Sequence, residues 1–589
     1  MHTTAIDRRR FIQLAGLSGL AAACKPSWLY AATEGRYARE ASPEFHADVE
    51  FELTAGVTSV PMMPGKHTVV WRYSGKLLKG PETALVDLPG THLGPILFFE
   101  KGQKVRIYFR NDLPEANIVH WHGLHVPQIM DGHPMYDVKT GSGYVYEFTI
   151  TNRAGTYMYH AHTHEATGRQ VYNGLAGLII VTDAEDRILD LPRGEYDQPI
   201  VLQDRSFDAD NQLQYVQSMR DRHMGMQGDE MIVNGKRHFV LPVATRAYRL
   251  RLMNGSNSRI YKLAWEDGTP LTVIATDGGL LEKPVTRAFV MLAPGERVDL
   301  WADFSGRKID TDLTMKSLPF SGAMPGHGGG ARSGMDHGGQ GGGMMGHGMM
   351  GVMHGGEGGA SGMHQGMNRM NHDEQSAGGG GADGHGGMGM ASNSALPLGG
   401  EYAVFKVHIM REEKETHQLP STLTKHDRLQ RADAENAQSP RKITLSMARM
   451  QWLLNGREFE MEGASPEETI TMGTLQLIEF DNGYTTGQHG MGMSGMSGMS
   501  GMSGMAHPMH IHGQQFQIIE RKIRDDLSGG YDTVSPGYVD DGWKDVVLVM
   551  PGEKVTLLKR FDHFKGLFLY HCHNLEHESM GMMRNFKVV

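Results

Sequence analysis

Cysteine is almost missing from this chain: 589 residues carry 2, at Cys24 and Cys572. That excludes a disulfide framework and a cysteine-rich zinc site. A cationic excess is missing as well. Lys and Arg number 57 against 67 Asp and Glu, the formal net charge is -10 and the pI is about 6.3. Nothing in that balance resembles the basic footprint of a nucleic-acid binder. Long amphipathic helical patterns are also absent, and so is an apolar run long enough for a confident membrane span. What is abundant is unusual: 41 Met, 31 His and 77 Gly. Thioether and imidazole are ligands suited to copper.

The length suggests about three or four domains at roughly 100–200 residues each. The N-terminus reads DRRRFIQLAGLSGLAAAC, in which Arg8 and Arg9 precede an apolar, small-residue stretch. This pattern is a twin-arginine export signal over residues 1–32, with cleavage near Tyr30–Thr33. The expected address is the bacterial periplasm, reached in the folded state. Cys24, after three alanines, also fits lipoprotein anchoring in a weaker context.

From about residue 45 onward short β-rich runs dominate. FFEKGQKVRIYFRND (98–112), YVYEFTI (144–150), LAGLIIVTD (175–183), YRLRLMN (248–254), RVDLWADF (297–304), FQIIERK (516–522) and KVTLLKRF (554–561) read as strands bounded by turns. The expectation is all-β, built of β-sandwich domains near 45–190, 195–410 and 440–589. The first and last echo each other: VHWHG (119–123) with MHIHG (509–513), and YMYHAH (157–162) with LYHCH (569–573). APGERVDL in the middle third matches MPGEKVTL in the last, but the middle third has no HxH pair.

Two segments interrupt this scaffold. Residues 321–400 are a Gly/Met/His tract without a single Phe, Tyr or Trp up to Gly400, and 485–505 repeat Met, Ser and Gly directly ahead of His507. Their composition cannot offset the entropy of ordering, so both are expected to be disordered. An inert surface loop is the plain alternative. Such loops are Ser-, Gly-, Asp- or Lys-rich, whereas recurrent methionine favours capture of a soft ion.

Chemistry concentrates in HWH (120–122), HAH (160–162), HPMHIH (507–512) and HCHNLEH (571–577). On a strand, residues i and i+2 share a face. His120 with His122, His160 with His162, His510 with His512 and His571 with His573 therefore converge in pairs. A lone histidine is usually a core or surface residue; four HxH pairs split between related domains are not explained that way. Cys572 lies between His571 and His573 and points to the opposite face. His507, His577 and Met582 are its candidate co-ligands. Two imidazoles, one thiolate and a weak thioether make a blue-copper electron-transfer site. Structural zinc is the alternative, but a closed zinc site needs no eight further imidazoles.

In this order HxH, HxH, HxxHxH and HCHxxxHxxxxM resemble the four copper signatures of the multicopper oxidases, over essentially the whole chain. The resemblance implies three cupredoxin-like Greek-key domains and four copper ions. It implies a type 1 copper at His507, Cys572, His577 and Met582, and a type 2 copper at His120 and His510. A type 3 pair would sit at His122, His160, His162, His512, His571 and His573. His164, His125, His133 and His489 fall outside that ligand set. HWHGLHVP (120–127), TGRQVYNGLAGLIIVTD (167–183), DGWKDVV (541–547) and HCHNLEHESMGMM (571–583) resemble most closely the cuprous oxidases of the CueO type, with copper-resistance oxidases of the CopA type a near relative. The residues before His507 are GMSGMA, where that type carries an acid, so no substrate-side carboxylate is carried over. Asp131, eleven residues after His120, and Glu578, after His577, match acids that deliver protons in the family. Loop and surface acids are their plain readings.

The expected activity is oxidation of Cu(I) to Cu(II) coupled to reduction of dioxygen to water, serving copper tolerance. Further labile copper is expected on the Met/His-rich segments. One rival is a laccase-like oxidase of phenols, amines or siderophores with an open organic pocket over His507. The other is a copper-sequestering protein. No nucleic-acid partner and no stable membrane span in the mature protein are expected, and the chain is taken as a monomer.

Overall fold

The computed structural model describes residues 38–323, 396–484 and 504–589. The expected signal segment 1–32 lies outside them, as do nearly all of 321–400 and 485–505 and, with them, His489. The described residues are predominantly strands, gathered in six sheets that form three packed pairs, one after another along the chain. The all-β expectation holds.

The first pair sets a four-stranded sheet around Val49–Val60 against a five-stranded sheet whose last members are Gly155–Ala161 and Val119–His120. The FFEKGQKVRIYFRND run becomes two strands, Ile96–Glu100 and Lys104–Asn111. Gly102, at φ +97°, makes the turn between them, a conformation open to glycine without Cβ strain. The second pair joins seven- and five-stranded sheets over Asp197–Arg205 to Tyr402–Arg411. The third joins two five-stranded sheets, one of them containing Gly566–Cys572, His507–Ile511 and Val546–Val549. Each pair closes on its own apolar core, with Trp121, Tyr157 and Tyr159 central to the first and Trp452, Met509, Cys572 and Met582 to the third.

Burial along the strands shows where the pairs meet. The first half of Val49–Val60 alternates buried with less buried residues, as a strand with one wet face must. Gly155–Ala161, by contrast, is buried at every position. One face looks into the first core, and the other is covered by the rest of the chain. Its histidine therefore lies in an interface between sheet pairs.

The middle pair carries no HxH motif but ties the others together. Arg297 grips Asp545 of the third pair through two N–H···O contacts of 2.6 Å. Lys544 sits 3.1 Å from Asp277 and 3.0 Å from Glu296. Glu576 accepts bonds from the Met226 amide, the Asn257 side chain and the Tyr215 hydroxyl at 2.8, 2.7 and 3.1 Å. Among the described residues no helix is long and apolar enough to cross a membrane.

Candidate metal centres

Strand register brings the first histidine of each motif face to face. In the first pair His120 pairs with His160; in the third His510 pairs with His571. The second histidine of each motif, at 122, 162, 512 and 573, stands just past its strand end and keeps to the same side. Ring centroids within the four motifs are 5.6, 6.0, 5.0 and 5.9 Å apart. The two sets of four then meet: His120 stacks on His512 and His122 on His510, each at 3.8 Å. All eight rings are at most 4% exposed.

The donor atoms in this octet face one another. His162 Nε2 and His512 Nε2 lie 3.3 and 3.2 Å from His571 Nε2, and His160 Nε2 lies 3.4 Å from His122 Nδ1. Two nitrogens bound at roughly 2.0–2.1 Å to one metal at a near-tetrahedral angle lie about 3.3 Å apart. His120 Nε2 and His510 Nε2 are buried with no hydrogen-bond partner. Such nitrogens need an explanation, and a metal supplies one. Three interlocking donor sets result: His120, His122 and His160; His120, His510 and His512; and His162, His512 and His571.

The opposite ring nitrogens are held by acceptors, which fix the tautomer and leave the inner nitrogen its lone pair. His120 Nδ1 donates to the Asp131 carbonyl at 2.6 Å, His510 Nδ1 to the Asp545 carbonyl at 2.7 Å and His160 Nδ1 to the Ala161 carbonyl at 2.8 Å. His512 Nδ1 donates to the Asp131 carboxylate at 2.7 Å, and His122 Nε2 to Asp545 Oδ1 at 3.0 Å. Asp545 groups geometrically with His122 and His510 as a third donor. Both its oxygens are already engaged by Arg297, so it braces the ligands. Burial, with neighbouring imidazoles, holds His120, His122, His162, His510, His512 and His573 well below the usual imidazole range. Burial brings His160 to about 4. These rings are neutral, as metal ligation requires.

Cys572 forms the second centre, on the other face of its strand. Its Sγ lies 3.5 Å from His507 Nδ1 and 3.6 Å from His577 Nδ1, and all three side chains are at most 1% exposed. His577 reaches this point because Leu575–Ser579 is a short helix, started by Asn574, whose side chain accepts from the His577 amide. Met582 is fully buried in the same core, and its carbonyl accepts from the Cys572 amide at 3.0 Å. Burial pushes the Cys572 thiol up and His507 down to about 3. A metal that replaces the thiol proton removes the first conflict, so the donor set fits a soft or borderline cation. Cys572 is joined by its own backbone to His571 and His573, so the two centres are covalently linked.

Both expected acids lie at the octet. Asp131 is 1% exposed; burial holds its carboxyl well above the usual range. Glu578 has one oxygen 3.2 Å from His571 Nδ1 and the other 3.6 Å from His162 Nε2. The histidines outside the ligand set are elsewhere: His164 packs on Phe459, His133 bonds Asn585 at 2.9 Å, and His125 meets His563.

Sequence reasoning missed the covering residues. Trp452 lies with its ring 4.8 Å from His507 and 4.4 Å from His577. The His223 carbonyl accepts from His577 Nε2 at 2.9 Å and from Trp452 Nε1 at 3.2 Å. Asp545 stood inside the quoted DGWKDVV run, but its partner Arg297 gave no signal.

Multicopper oxidase family profiles match residues 71–186 and 438–589, the two regions that carry the ligands. The chain is 27% identical over 510 residues to the multicopper oxidase mco of Staphylococcus aureus, covering 87% of this chain and 85% of that one. It is 26% identical to a laccase of Bacillus stratosphericus, covering 86% and 91%. The crystal structure of the McoA multicopper oxidase of Aquifex aeolicus superposes with a TM-score of 0.66 at 28% identity, covering 92% and 97%. The three sheet pairs are thus cupredoxin-like. Together with the buried octet and the Cys572 centre, these likenesses establish that the chain belongs to the multicopper oxidase family, copper-dependent oxidoreductases.

Proposed function

We propose that the protein is a periplasmic cuprous oxidase. His507, Cys572, His577 and Met582 would hold a type 1 copper; His120 and His510 a type 2 copper; His122, His160 and His573 with His162, His512 and His571 a type 3 pair. Bound copper supplies one-electron transfer at the first centre and four-electron reduction of dioxygen to water at the octet. The chain supplies the rest. The Cys572 backbone is the route for electrons toward His571 and His573. Asp131 and Glu578 hold protons beside the octet.

One observation carries the choice of donor: the Cys572 centre is roofed. His507, His577 and Trp452 are at most 1% exposed, and the outer nitrogen of His577 is taken by the His223 carbonyl. Met224, Met447 and Met580 pack against this same core. A phenol needs an open ring edge to contact, whereas a soft metal ion can be handed across thioethers. The methionine tracts at 321–400 and 485–505, nearly all of which lies outside the described residues, extend the same chemistry in the sequence. The twin arginines Arg8 and Arg9 support export in the folded state.

Deleting 321–400 and 485–505 together tests the reading. Cu(I)-driven oxygen uptake should be lost while phenol oxidation is kept or raised; intact Cu(I) turnover would refute it. Copper tolerance conferred in full by Cys572→Ser would instead make the protein a copper binder rather than an oxidase.

A further inference from the structure

The third sheet pair is not filled along its whole length. Around the Cys572 centre the core is closed, with Trp452, Met509 and Cys572 at most 1% exposed. Elsewhere between the same two sheets a cavity of about 840 Å³ opens to solvent. Ile443, Ile478 and Phe561 line it from one sheet, and Ile470, Tyr570 and Phe586 from the other, with Ile511 paired beside Tyr570. Protein interiors leave few voids larger than a water molecule. A space of this size, walled by apolar side chains from both sheets, falls in the range of small-molecule sites, roughly 300–1,000 Å³.

Its outer wall is cationic. Arg441, Lys442 and Arg457 lie there, with Glu467 as the exposed acid among them. Arg457 acts on Glu467, which leaves Arg441 and Lys442 in excess. The buried acid of the wall, Glu468, is already neutralised: it accepts from Arg584 at 2.8 and 2.7 Å and from the Tyr570 hydroxyl at 2.8 Å. Arg441 is half-buried and held by neutral oxygens. Its Nε donates to Gln476 Oε1 at 2.8 Å, and its Nη1 donates to the Glu467 carbonyl. Among the described residues its Nη2 has no hydrogen-bond partner and its charge has no carboxylate in an ion pair. Glu435 is tied to the Gln476 amide at 2.7 Å instead of to the guanidinium. Burial works against the Arg441 charge. A guanidinium placed this way, over an apolar cavity, fits an anionic group.

We propose that this cavity binds a single-chain anionic amphiphile, a medium-chain fatty acid, with its carboxylate on Arg441 and Lys442 and its alkyl tail between the sheets against Ile511 and Tyr570. The cations select the head and the apolar walls select the tail. Ile511 lies between His510 and His512, and Tyr570 precedes His571. The tail therefore packs on the backs of two strands that carry octet ligands. Binding to the folded protein alone stabilises it by mass action. No bond is made or broken, and the site is independent of which donor feeds the Cys572 centre.

The test titrates the copper-loaded protein by calorimetry with decanoate, octanoate, decanol and decylamine, each below its micelle concentration. Decanoate should bind one to one and raise the melting temperature. It should bind about tenfold or more tighter than octanoate, because each buried methylene adds about fourfold, and tighter than decanol by a similar factor. Decylamine should not bind. Arg441→Gln should weaken decanoate about tenfold or more, the scale of one charge-assisted hydrogen bond, and leave decanol unchanged. Ile443→Trp, which fills the cavity, should abolish binding of both while copper content and oxygen uptake stay at wild-type levels. A crystal grown with 10-bromodecanoate should show the bromine beside Ile511 and the carboxylate on Arg441. Decanoate binding no tighter than decanol would overturn the proposal, as would unchanged decanoate affinity in Arg441→Gln. Bromine found only outside the cavity would overturn it as well.

Discussion

At the scale of single residues, the centres depend on the groups that hold the outer nitrogen of each ligand. Asp131 is the clearest case, since its carbonyl holds His120 and its carboxylate holds His512. Asp131→Asn keeps the backbone bond and the side-chain shape but removes the titrating oxygen. Oxygen uptake should fall roughly 10²-fold or more, the scale of a lost general acid, with copper content unchanged by elemental analysis. A fall of less than threefold would remove Asp131 from proton delivery. Cys572→Ser should abolish both the strong visible absorption of a thiolate–copper bond and turnover, while the octet keeps its metal. The ligands were legible in the sequence because each pair sits within three residues, at or just past the end of one strand. His223, Trp452 and Arg297 were not, because they arrive from strands or helices distant in the chain and carry no spacing signature. His125 stood beside the HWH motif and had no assignable role, and the structure sets its Nε2 3.2 Å from His563 Nδ1, a partner far away in the chain.

At the scale of elements, register matters more than composition. The pairings His120 with His160 and His510 with His571 place four donors in two rows, and a one-residue slip would turn every one of them to the opposite face. Gly132 secures this arrangement. It has φ +82°, and a Cβ there would stand 2.3 Å from the Val119 carbonyl and 2.6 Å from the His120 Cα. Gly132→Ala combines left-handed strain of roughly 1–3 kcal/mol with a backbone clash. The expected result is a lower melting temperature and less than full copper occupancy. Unaltered melting and copper content would contradict this account. The alternation rule predicted the convergence of the HxH pairs, although the second histidine of each stands just beyond its strand. The helix Leu575–Ser579 was not legible, since five residues are too few to show a helical period. Yet that helix is what folds His577 back to Cys572.

For the whole molecule, three sheet pairs bury imidazoles that burial holds well below their ordinary range. His507 lies at about 3 and His160 at about 4, against about 6.5 in the unfolded chain. Between those values the unfolded state binds more protons than the folded one, so stability rises with pH there. The copper-free protein should be fully stabilised above about pH 6.5 and lose stability steadily as pH falls toward 4. Thermal unfolding across that range checks it, and a flat melting temperature from pH 7 to 4.5 would contradict it. Three sandwiches with ligands in the first and last were legible from the internal echoes. That the ligand-free middle pair supplies Arg297, which grips Asp545, and the His223 cover was not, because pairing between distant segments leaves no local pattern.

The central claim is that this oxidase takes its electrons from Cu(I) through a roofed type 1 site. The most direct measurement is oxygen uptake by the purified, copper-loaded enzyme, comparing kcat/KM for Cu(I) with that for a simple phenol under identical conditions. The account predicts that Cu(I) exceeds the phenol by at least about tenfold, the ratio set by a difference of about 1.4 kcal/mol in transition-state free energy. A phenol that matches or outruns Cu(I) would contradict it and make the protein a laccase-like oxidase.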